Sequence, residues 1–287
     1  MKELIPAFNK GKALQAAIKQ TRGEGKKESF DIWWLGQSGF LLQWNKSCLL
    51  FDPYLSDSLT KKYASSAKPH TRMSELVIDP ALLDCIDIVT SSHNHTDHLD
   101  AETLMPLLKV NTGIQFIIPE ANRDFVVERV KCDLGFPLGL NDGKSLVVND
   151  FTFLGIPSAH NLVDRDEKGQ CRFMGYVVQF GGFSIYHSGD TLWFDGLDRI
   201  LKRFNVDVAF LPINGNDPAR GVAGNLNARE AATLGKAIGA KYVIPHHYNM
   251  FTFNTADPKD FEAEAGKCGQ PYVVLELGQR WTYPPAN

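Results

Sequence analysis

Short apolar runs and helical spacings alternate along the first half of the chain. A short amphipathic helix is predicted at 10–21, and a loop follows at 23–27. Asp100 is a plausible N-cap for the helical pattern at 101–108, which has Glu102 in its first turn, and a second helix is predicted at 123–130. Apolar runs bounded by turn residues predict strands at 32–35, 40–44, 48–51, 86–92 and 114–118.

The second half begins with paired apolar runs and then returns to alternating helices and strands. Runs at 145–148 and 151–155 predict a hairpin around Asn149-Asp150, and runs at 175–180 and 183–187 predict another around Gly181-Gly182. Asn227 followed by Glu230 resembles a capping box. Helices are predicted at 195–204, 228–238 and 258–267, and strands at 206–211, 242–245 and 272–277.

Each half therefore passes from β-rich segments into αβ segments. No stretch rich in Pro, Gly and Ser separates the halves, so we predict a single domain at 29–287, preceded by a helical extension at 1–28. Two packed β-sheets with helices outside them would satisfy this order of elements.

Composition narrows the class of protein. The chain has 287 residues, 44% of them hydrophobic, and a net charge of −3 with acids and bases interspersed. This balance argues against a general nucleic-acid or anionic-membrane surface, so a small-molecule substrate is expected instead. The five scattered cysteines indicate no disulfide framework, and the N-terminal segment lacks the apolar stretch of a signal peptide, so we expect a cytoplasmic protein.

The segment His93-Asn94-His95-Thr96-Asp97-His98 follows a predicted strand and precedes a predicted helix. Imidazole nitrogens and carboxylate oxygens are good ligands for zinc, manganese and iron. His93 and His95 are two residues apart and can point the same way, whereas Asp97 and His98 begin the next turn. One short loop can therefore present two pairs of ligands to two neighbouring metal ions.

Two metal ions held close together require further ligands, some of them shared. Three other polar residues lie where predicted strands leave the core, which is where sites on α/β folds tend to form. They are His160, Asp190 in Ser188-Gly189-Asp190-Thr191, and His247, which directly follows His246.

The succession H-x-H-x-D-H, a later His, S-G-D-T and P-x-H-Y resembles the metallo-β-lactamase superfamily, over about residues 32–277. The resemblance implies an α/β fold, the αββα sandwich, in which two mixed β-sheets are flanked by helices and motifs at strand ends surround one or two metal ions.

The resemblance also implies a role for each residue of the motifs. His93, His95 and His160 would hold a first metal ion, Asp97, His98 and His247 a second, and Asp190 would bridge them. Asp52 would support the ligand loop without binding metal. His246 competes with His247, but the family pattern selects His247. His187 is expected in the core or behind the ligands, and His70 on the surface.

Flanking residues narrow the resemblance further. Trp34-Leu35-Gly36-Gln37-Ser38-Gly39, Leu211-Pro212-Ile213-Asn214-Gly215 and the stretch from Gly224 to Ala231 resemble the L-ascorbate-6-phosphate lactonase group. That group implies an oligomeric enzyme that opens a phosphorylated sugar lactone. Asn216 stands where the group often carries an arginine, so phosphate binding would depend on other basic residues. The candidates, all expected in loops, are Lys61, Lys62, Lys68, Arg72, Arg165 and Arg220.

Three functions remain open at this stage. The first is a hydrolase that opens a lactone or ester with a metal-activated water, in which Asp97 or Asp190 handles the proton. The second uses the same site on a phosphodiester, and the third is a metal-binding scaffold without activity. One or two divalent ions, zinc or manganese with iron as a further option, are expected in each case.

Overall fold

A computed structural model describes residues 3–285 of the chain. Its first sheet has seven strands in the order β13-β1-β2-β3-β4-β5-β6. The strands are β1 (Phe30–Gly36), β2 (Gly39–Trp44), β3 (Ser47–Phe51), β4 (Ile88–Thr90), β5 (Gln115–Pro119), β6 (Leu138–Leu140) and β13 (Arg280–Tyr283). Pairing is antiparallel from β13 to β3 and parallel from β3 to β6, so the sheet is mixed.

The second sheet has six strands in the order β12-β11-β10-β9-β8-β7. The strands are β7 (Ser145–Val148), β8 (Phe151–Pro157), β9 (Met174–Phe180), β10 (Phe183–His187), β11 (Val208–Pro212) and β12 (Tyr242–His246). Antiparallel hairpins join β7 to β10, and β10, β11 and β12 are parallel. Both predicted hairpins, around Asn149-Asp150 and Gly181-Gly182, are confirmed.

Seven α-helices accompany the two sheets in the described part of the chain. They are α1 (Gly11–Glu24), α2 (Ser58–Lys62), α3 (Ala101–Val110), α4 (Arg123–Val130), α5 (Leu197–Leu201), α6 (Ala228–Ile238) and α7 (Pro258–Cys268). Helix α1 contacts β2 of the first sheet, and α6 contacts β11 and β12 of the second and also α7. The predicted αββα sandwich of two mixed sheets flanked by helices is thus confirmed.

Aromatic side chains fill the space between the two sheets. The rings of Phe40 and Phe210 lie 4.3 Å apart between their centroids, and those of Phe30 and Phe180 lie 5.3 Å apart. Each pair joins a strand of the first sheet to a strand of the second, and all four rings are almost fully buried. Large buried rings of this kind dominate core energetics, so the sheets are held at fixed distance and angle.

Some predicted elements differ from the structure. The strand predicted at 272–277 is wrong, because only Tyr272 bridges to Val243 before the chain turns away; the final strand is instead β13, which pairs with β1. The helix predicted at 195–204 is shorter, since α5 ends at Leu201 and a 3-10 turn follows at Lys202–Phe204. The strand predicted at 86–92 keeps only Ile88–Thr90.

The N-terminal segment is attached to the first sheet by buried contacts. Leu14 and Ile18 of α1 are fully buried, and the Thr21 hydroxyl donates to the side chain of Gln43 in β2. Arg22 pairs with Asp87 at 2.8 Å. No helix between residues 3 and 285 is long and apolar enough to cross a membrane.

Candidate metal centre

The loop that carries three of the histidines lies between β4 and α3. It turns at His95, whose carbonyl accepts the backbone N–H groups of His98 at 3.1 Å and Leu99 at 2.8 Å. Helix α3 then begins behind its N-cap Asp100, whose side chain accepts the Glu102 N–H, as predicted. The turn explains how neighbouring residues face two different groups of partners.

One group combines this loop with the ends of β8 and β10. His93, His95, His160 and Asp190 each place one possible ligand atom within 4.8 Å of the others. Nδ1 of His160 lies 2.8 Å from the carbonyl of Gly224, which fixes Nδ1 as the donor. Nε2 of His160 is therefore left as an acceptor, 3.6 Å from Oδ2 of Asp190.

The second group combines the loop with the end of β12. Asp97, His98 and His247 likewise place ligand atoms within 4.8 Å of one another. The other oxygen of Asp190, Oδ1, lies 2.7 Å from Nε2 of His247 and 3.3 Å from Nε2 of His98. Asp190 thus presents one carboxylate oxygen to each group, the arrangement that a bridging ligand needs.

Asp52 lies behind the second group and is fully buried at the end of β3. Its Oδ2 lies 2.7 Å from Nδ1 of His98, and Oδ1 accepts from the Thr90 hydroxyl at 2.9 Å and from the Ser92 N–H at 3.0 Å. The bond to Nδ1 directs Nε2 of His98 towards Asp190. Asp52 therefore orients a candidate ligand from behind, the position that the resemblance implies.

Gln37 supports the same group from the turn between β1 and β2. Its side-chain nitrogen donates to Oδ2 of Asp97 at 2.8 Å and lies 3.1 Å from Nδ1 of His247. Gln37 has a φ of 50° and is buried, and its carbonyl accepts the Trp34 indole N–H at 3.1 Å. The turn is therefore rigid where it meets the two side chains.

Electrostatics divide the histidines into two kinds. Burial lowers the pKa values of His93, His95 and His160, for His95 to about 4, so these imidazoles are neutral at pH 7. Burial also opposes the charged form of His98, but Asp190 and Asp97 outweigh it and raise the pKa of His98 well above its usual range. Without a metal ion, a proton on His98 thus neutralises part of the acidic charge.

The atoms that converge here are poorly satisfied by the protein alone. Nε2 of His93 and Oδ1 of Asp190 are buried without a hydrogen-bond partner in the part of the chain that the structure describes. Oδ1 of Asp190 lies close to Nε2 of His247, yet the two are not aligned as donor and acceptor. Converging nitrogen and oxygen lone pairs fit a divalent cation, so the donor set suits the predicted metal ions.

His246 faces away from both groups. Its Nδ1 lies 3.2 Å from the Ser38 hydroxyl, and its ring stacks on His187 with centroids 5.5 Å apart. His187 is fully buried and also stacks on Phe51, so it lies in the core behind the site. His247 turns the other way because it follows the strand with a φ of 63°, a left-handed conformation.

A cleft with a volume of about 630 Å³ opens above the two groups. Its floor includes Asp97 and Asp190, one wall carries Tyr63, His70 and Phe251, and further residues come from α4. The prediction that His70 is a plain surface residue is wrong: the side chain is half-buried, and its ring stacks on Tyr63 with centroids 4.5 Å apart.

Most of the predicted phosphate-binding residues are engaged elsewhere. Lys61 pairs with Glu102, Arg72 with Asp57 and Arg165 with Asp142, while the Arg220 guanidinium donates to backbone carbonyls and to Asn254. Lys62 and Lys68 line the cleft, and the Lys68 ammonium donates to the Arg220 and Gly221 carbonyls. Lys61 and Lys62 lie in α2, so their prediction as loop residues is wrong.

Two contributors to the cleft were missed at the sequence level. Gln37 was noted only as part of a motif, and Arg129 only as a position in a predicted helix. Arg129 reaches from α4 to the ligand loop, where Nη1 donates to the Asn94 carbonyl at 2.7 Å. A surface-like arginine in a helix carries no sequence signal of this kind, because the contact depends on how α4 packs.

Comparison with known proteins agrees with this fold. The family model described as "Beta-lactamase superfamily domain" matches residues 31–247. A UPF0173 metal-dependent hydrolase from Opitutus terrae is 32% identical over 247 residues, covering 86% of this chain and 96% of the relative. An Escherichia coli protein named "Probable L-ascorbate-6-phosphate lactonase" is 24% identical over 293 residues, covering 89% of this chain and 81% of the relative.

A solved structure shares the architecture at lower identity. The metallo hydrolase Igni18 from Ignicoccus hospitalis superposes with a TM-score of 0.66 at 22% identity, covering 90% of this chain and all of that one. At this identity the likeness supports the fold. Together with the family match over most of the chain, it shows that the chain belongs to the metallo-β-lactamase superfamily, among its metal-dependent hydrolases.

Proposed function

We propose that the protein hydrolyses a lactone or ester of a small, sugar-like metabolite that can be phosphorylated. The observation that carries this proposal is the pair of ligand groups joined by Asp190 at the floor of a 630 Å³ cleft. A cavity of this size holds a small molecule. The similarity to the E. coli lactonase over 89% of the chain favours a lactone.

Seven side chains would hold the metal ions. His93, His95 and His160 would bind one ion and Asp97, His98 and His247 the other, with Asp190 between them. Zinc or manganese suits these nitrogen and oxygen donors, and iron is also compatible with them. A divalent ion bound there supplies a Lewis acid and lowers the pKa of a water molecule.

Asp97 and Asp190 would move the proton during hydrolysis. Burial opposes their charge, but nearby His98 and His247 outweigh it, so the pKa values of both carboxyls lie below their usual range. Both are therefore carboxylates at pH 7 and can accept a proton from water. Asp97 is partly exposed to the cleft and held by Gln37, which places it to pass that proton to the leaving alkoxide.

The test is a substrate panel on protein loaded with zinc or with manganese. Initial rates would be compared on sugar-like lactones, simple aryl esters and bis-p-nitrophenyl phosphate. We expect kcat/KM to be greatest for a lactone or an ester. A clear preference for the diester would replace the proposal with phosphodiester hydrolysis, and no turnover of any compound would favour a metal-binding scaffold.

A pair of variants links any activity to the site. Asp97→Ala should lose at least about 100-fold in kcat, because general acid–base groups typically contribute that much or more. Asp195→Ala is the matched control, since its side chain is 98% exposed and pairs with the surface residue Arg199. Full activity of Asp97→Ala with normal metal content would contradict the proposed role.

The localisation and the oligomeric state of the enzyme can be proposed in the same way. We expect a cytoplasmic homo-oligomer that acts on a diffusible metabolite, by similarity to the lactonase group. Light scattering of the purified protein measures the oligomeric state, and elemental analysis of protein purified without added metal identifies the ion and its stoichiometry.

A further inference from the structure

Arg129 is a cation in the cleft that forms no ion pair with a carboxylate in the part of the chain that the structure describes. It belongs to the last turn of α4. Its side chain lines the same cleft as Asp97 and Asp190. Among residues 3–285, its only hydrogen bonds are from Nη1 to the carbonyls of Asn94 at 2.7 Å and Leu99 at 3.3 Å. Both acceptors are neutral, so the charge of the guanidinium is not compensated by a carboxylate.

The rest of the guanidinium is available to a ligand. Nε and Nη2 of Arg129 have no hydrogen-bond partner in the described part of the chain, and neither atom is buried. The guanidinium lies over the Phe125 ring, 4.3 Å from its centroid. Phe125 and the two carbonyls therefore hold the planar group in one orientation, which lowers the entropy lost when it binds a ligand.

The electrostatic surroundings of Arg129 favour an added negative charge. Partial burial lowers the pKa of Arg129, and the single carboxyl that opposes this effect is Asp100. The Asp100 carboxylate is itself occupied by the Glu102 N–H and the Thr103 hydroxyl at the start of α3. An anion bound in the cleft would offset the hydration that the guanidinium loses through this burial.

We propose that Arg129 is a specificity-determining residue that binds an anionic group of the substrate, a carboxylate or a phosphate, that is not part of the bond that is cleaved. A guanidinium binds either group through two parallel N–H···O bonds. Because Nη1 is tied to Asn94, one residue from both His93 and His95, the anionic group is held beside the metal centre. This inference rests on the proposed hydrolysis and adds the chemical class of the substrate.

The test uses three five-membered lactones that differ in one substituent: hydroxymethyl, carboxymethyl or phosphoryloxymethyl. Metal-loaded wild-type protein should hydrolyse an anionic lactone with a kcat/KM about 10- to 100-fold above the neutral one, the range for hydrogen bonds between charged groups. Comparison of the carboxylate and phosphate compounds identifies which anion is preferred.

Two variants separate ligand binding from a structural role. Arg129→Met should lower kcat/KM for the anionic lactones far more than for the neutral one, mainly through KM, and so remove the preference. Arg129→Lys keeps the charge but lacks the planar fork, so it should recover part of the preference. Lys131→Met, which removes an exposed charge just beyond the same helix, should keep the full preference.

The outcomes distinguish the two proposals. Hydrolysis of all three lactones without an anionic preference, or an equal loss on all three in Arg129→Met, would overturn the role of Arg129 and leave lactone hydrolysis standing. No turnover of any lactone by the wild type would refute lactone hydrolysis. Calorimetric titration of wild type and Arg129→Met with the uncleaved phosphoryloxymethyl lactone would then test Arg129 separately, and equal affinity of the two proteins would overturn its role.

Discussion

The substitution Asp52→Asn tests how the site is supported from behind. Asparagine has nearly the shape of aspartate and tolerates the left-handed backbone of this residue, whose φ is 38°. It replaces one carboxylate oxygen with an N–H donor, which would oppose the Nδ1–H of His98 or the N–H of Ser92. The variant therefore removes one charge and one buried acceptor without leaving a cavity.

The expected loss of stability follows from the contacts of Asp52. Without metal, the raised pKa of His98 and the lowered pKa of Asp52 describe a buried ion pair, with Nδ1 and Oδ2 2.7 Å apart. Removal of one partner from such a pair costs about 3–5 kcal/mol in the free energy of unfolding. Substitution of a residue that hydrogen-bonds to a metal ligand typically weakens metal binding by about 10- to 100-fold. Urea unfolding of the metal-free protein and competition with a chelator measure the two effects.

The contribution of the pair Asp52 and His98 to the free energy of unfolding depends on pH. The pKa of Asp52 is lowered by folding, so its contribution is complete above its unfolded value of about 3.9 and is lost as the pH falls through the folded value. The pKa of His98 is raised, so its contribution is complete below about 6.5 and is lost as the pH rises through the folded value. The difference between wild type and Asp52→Asn should be greatest between about pH 4 and 6.5.

Thr90→Val is the matched control because it removes the hydroxyl that hydrogen-bonds to Asp52, preserves the shape of the side chain and keeps the contact of the carboxylate with His98. It should cost about 1.5–3 kcal/mol, the range for a hydrogen bond to a charged group, and change metal affinity by no more than about 3-fold. If Asp52→Asn bound metal as tightly as Thr90→Val, the bond from Asp52 to His98 would not orient a ligand, and the reasoning would be refuted.

Three further predictions concern the ligand set and the fold. His247→Ala should lose one bound metal ion. His246→Ala should keep its metal content but have a lower melting temperature, because His246 is buried among core side chains. Equal metal loss in the two variants would contradict the assignment of His247 as the ligand. Metal binding should release a proton at pH 7 because His98 carries one in the free protein, so calorimetry should give heats that vary with the ionisation enthalpy of the buffer. Asn227→Ala, which removes the N-cap of α6, should cost about 1 kcal/mol in urea unfolding, and no change would exclude a stabilising cap.

Sequence patterns predicted the floor of the cleft better than its walls. The ligand loop and the strand ends carry residue types that are rare in structural roles, and strands predicted from apolar runs place them at one edge of the sandwich. The structure brings together all seven residues predicted as ligands, and Asp190 is positioned between the two groups. Local patterns were informative here because all seven residues lie in loops that follow strands β4, β8, β10 and β12, and the family resemblance assigned their roles.

The walls depend on packing between elements that lie far apart in the chain. His70 enters the cleft because its ring packs against Tyr63, Phe251 and Phe253, and the last two lie about 180 residues further along the chain. The final strand was missed for a similar reason. Residues 272–277 have the more apolar pattern, but Arg280–Tyr283 has a free edge of β1 to pair with.

The residues of the floor and those of the walls should also differ in how substitutions affect the protein. The ligands are tied to strand ends and to buried partners such as Asp52, so a substitution there alters metal binding and stability together. Arg129 is on a helix and is not one of the seven proposed ligands; among residues 3–285 its hydrogen bonds to the ligand loop go to two backbone carbonyls. Its side chain can therefore change without replacing a ligand, and exchange at this position should alter which substrate is bound while the metal centre stays intact. If specificity and metal binding are separate in this way, Arg129→Met should retain its metal content and show an altered order of preference among the three lactones.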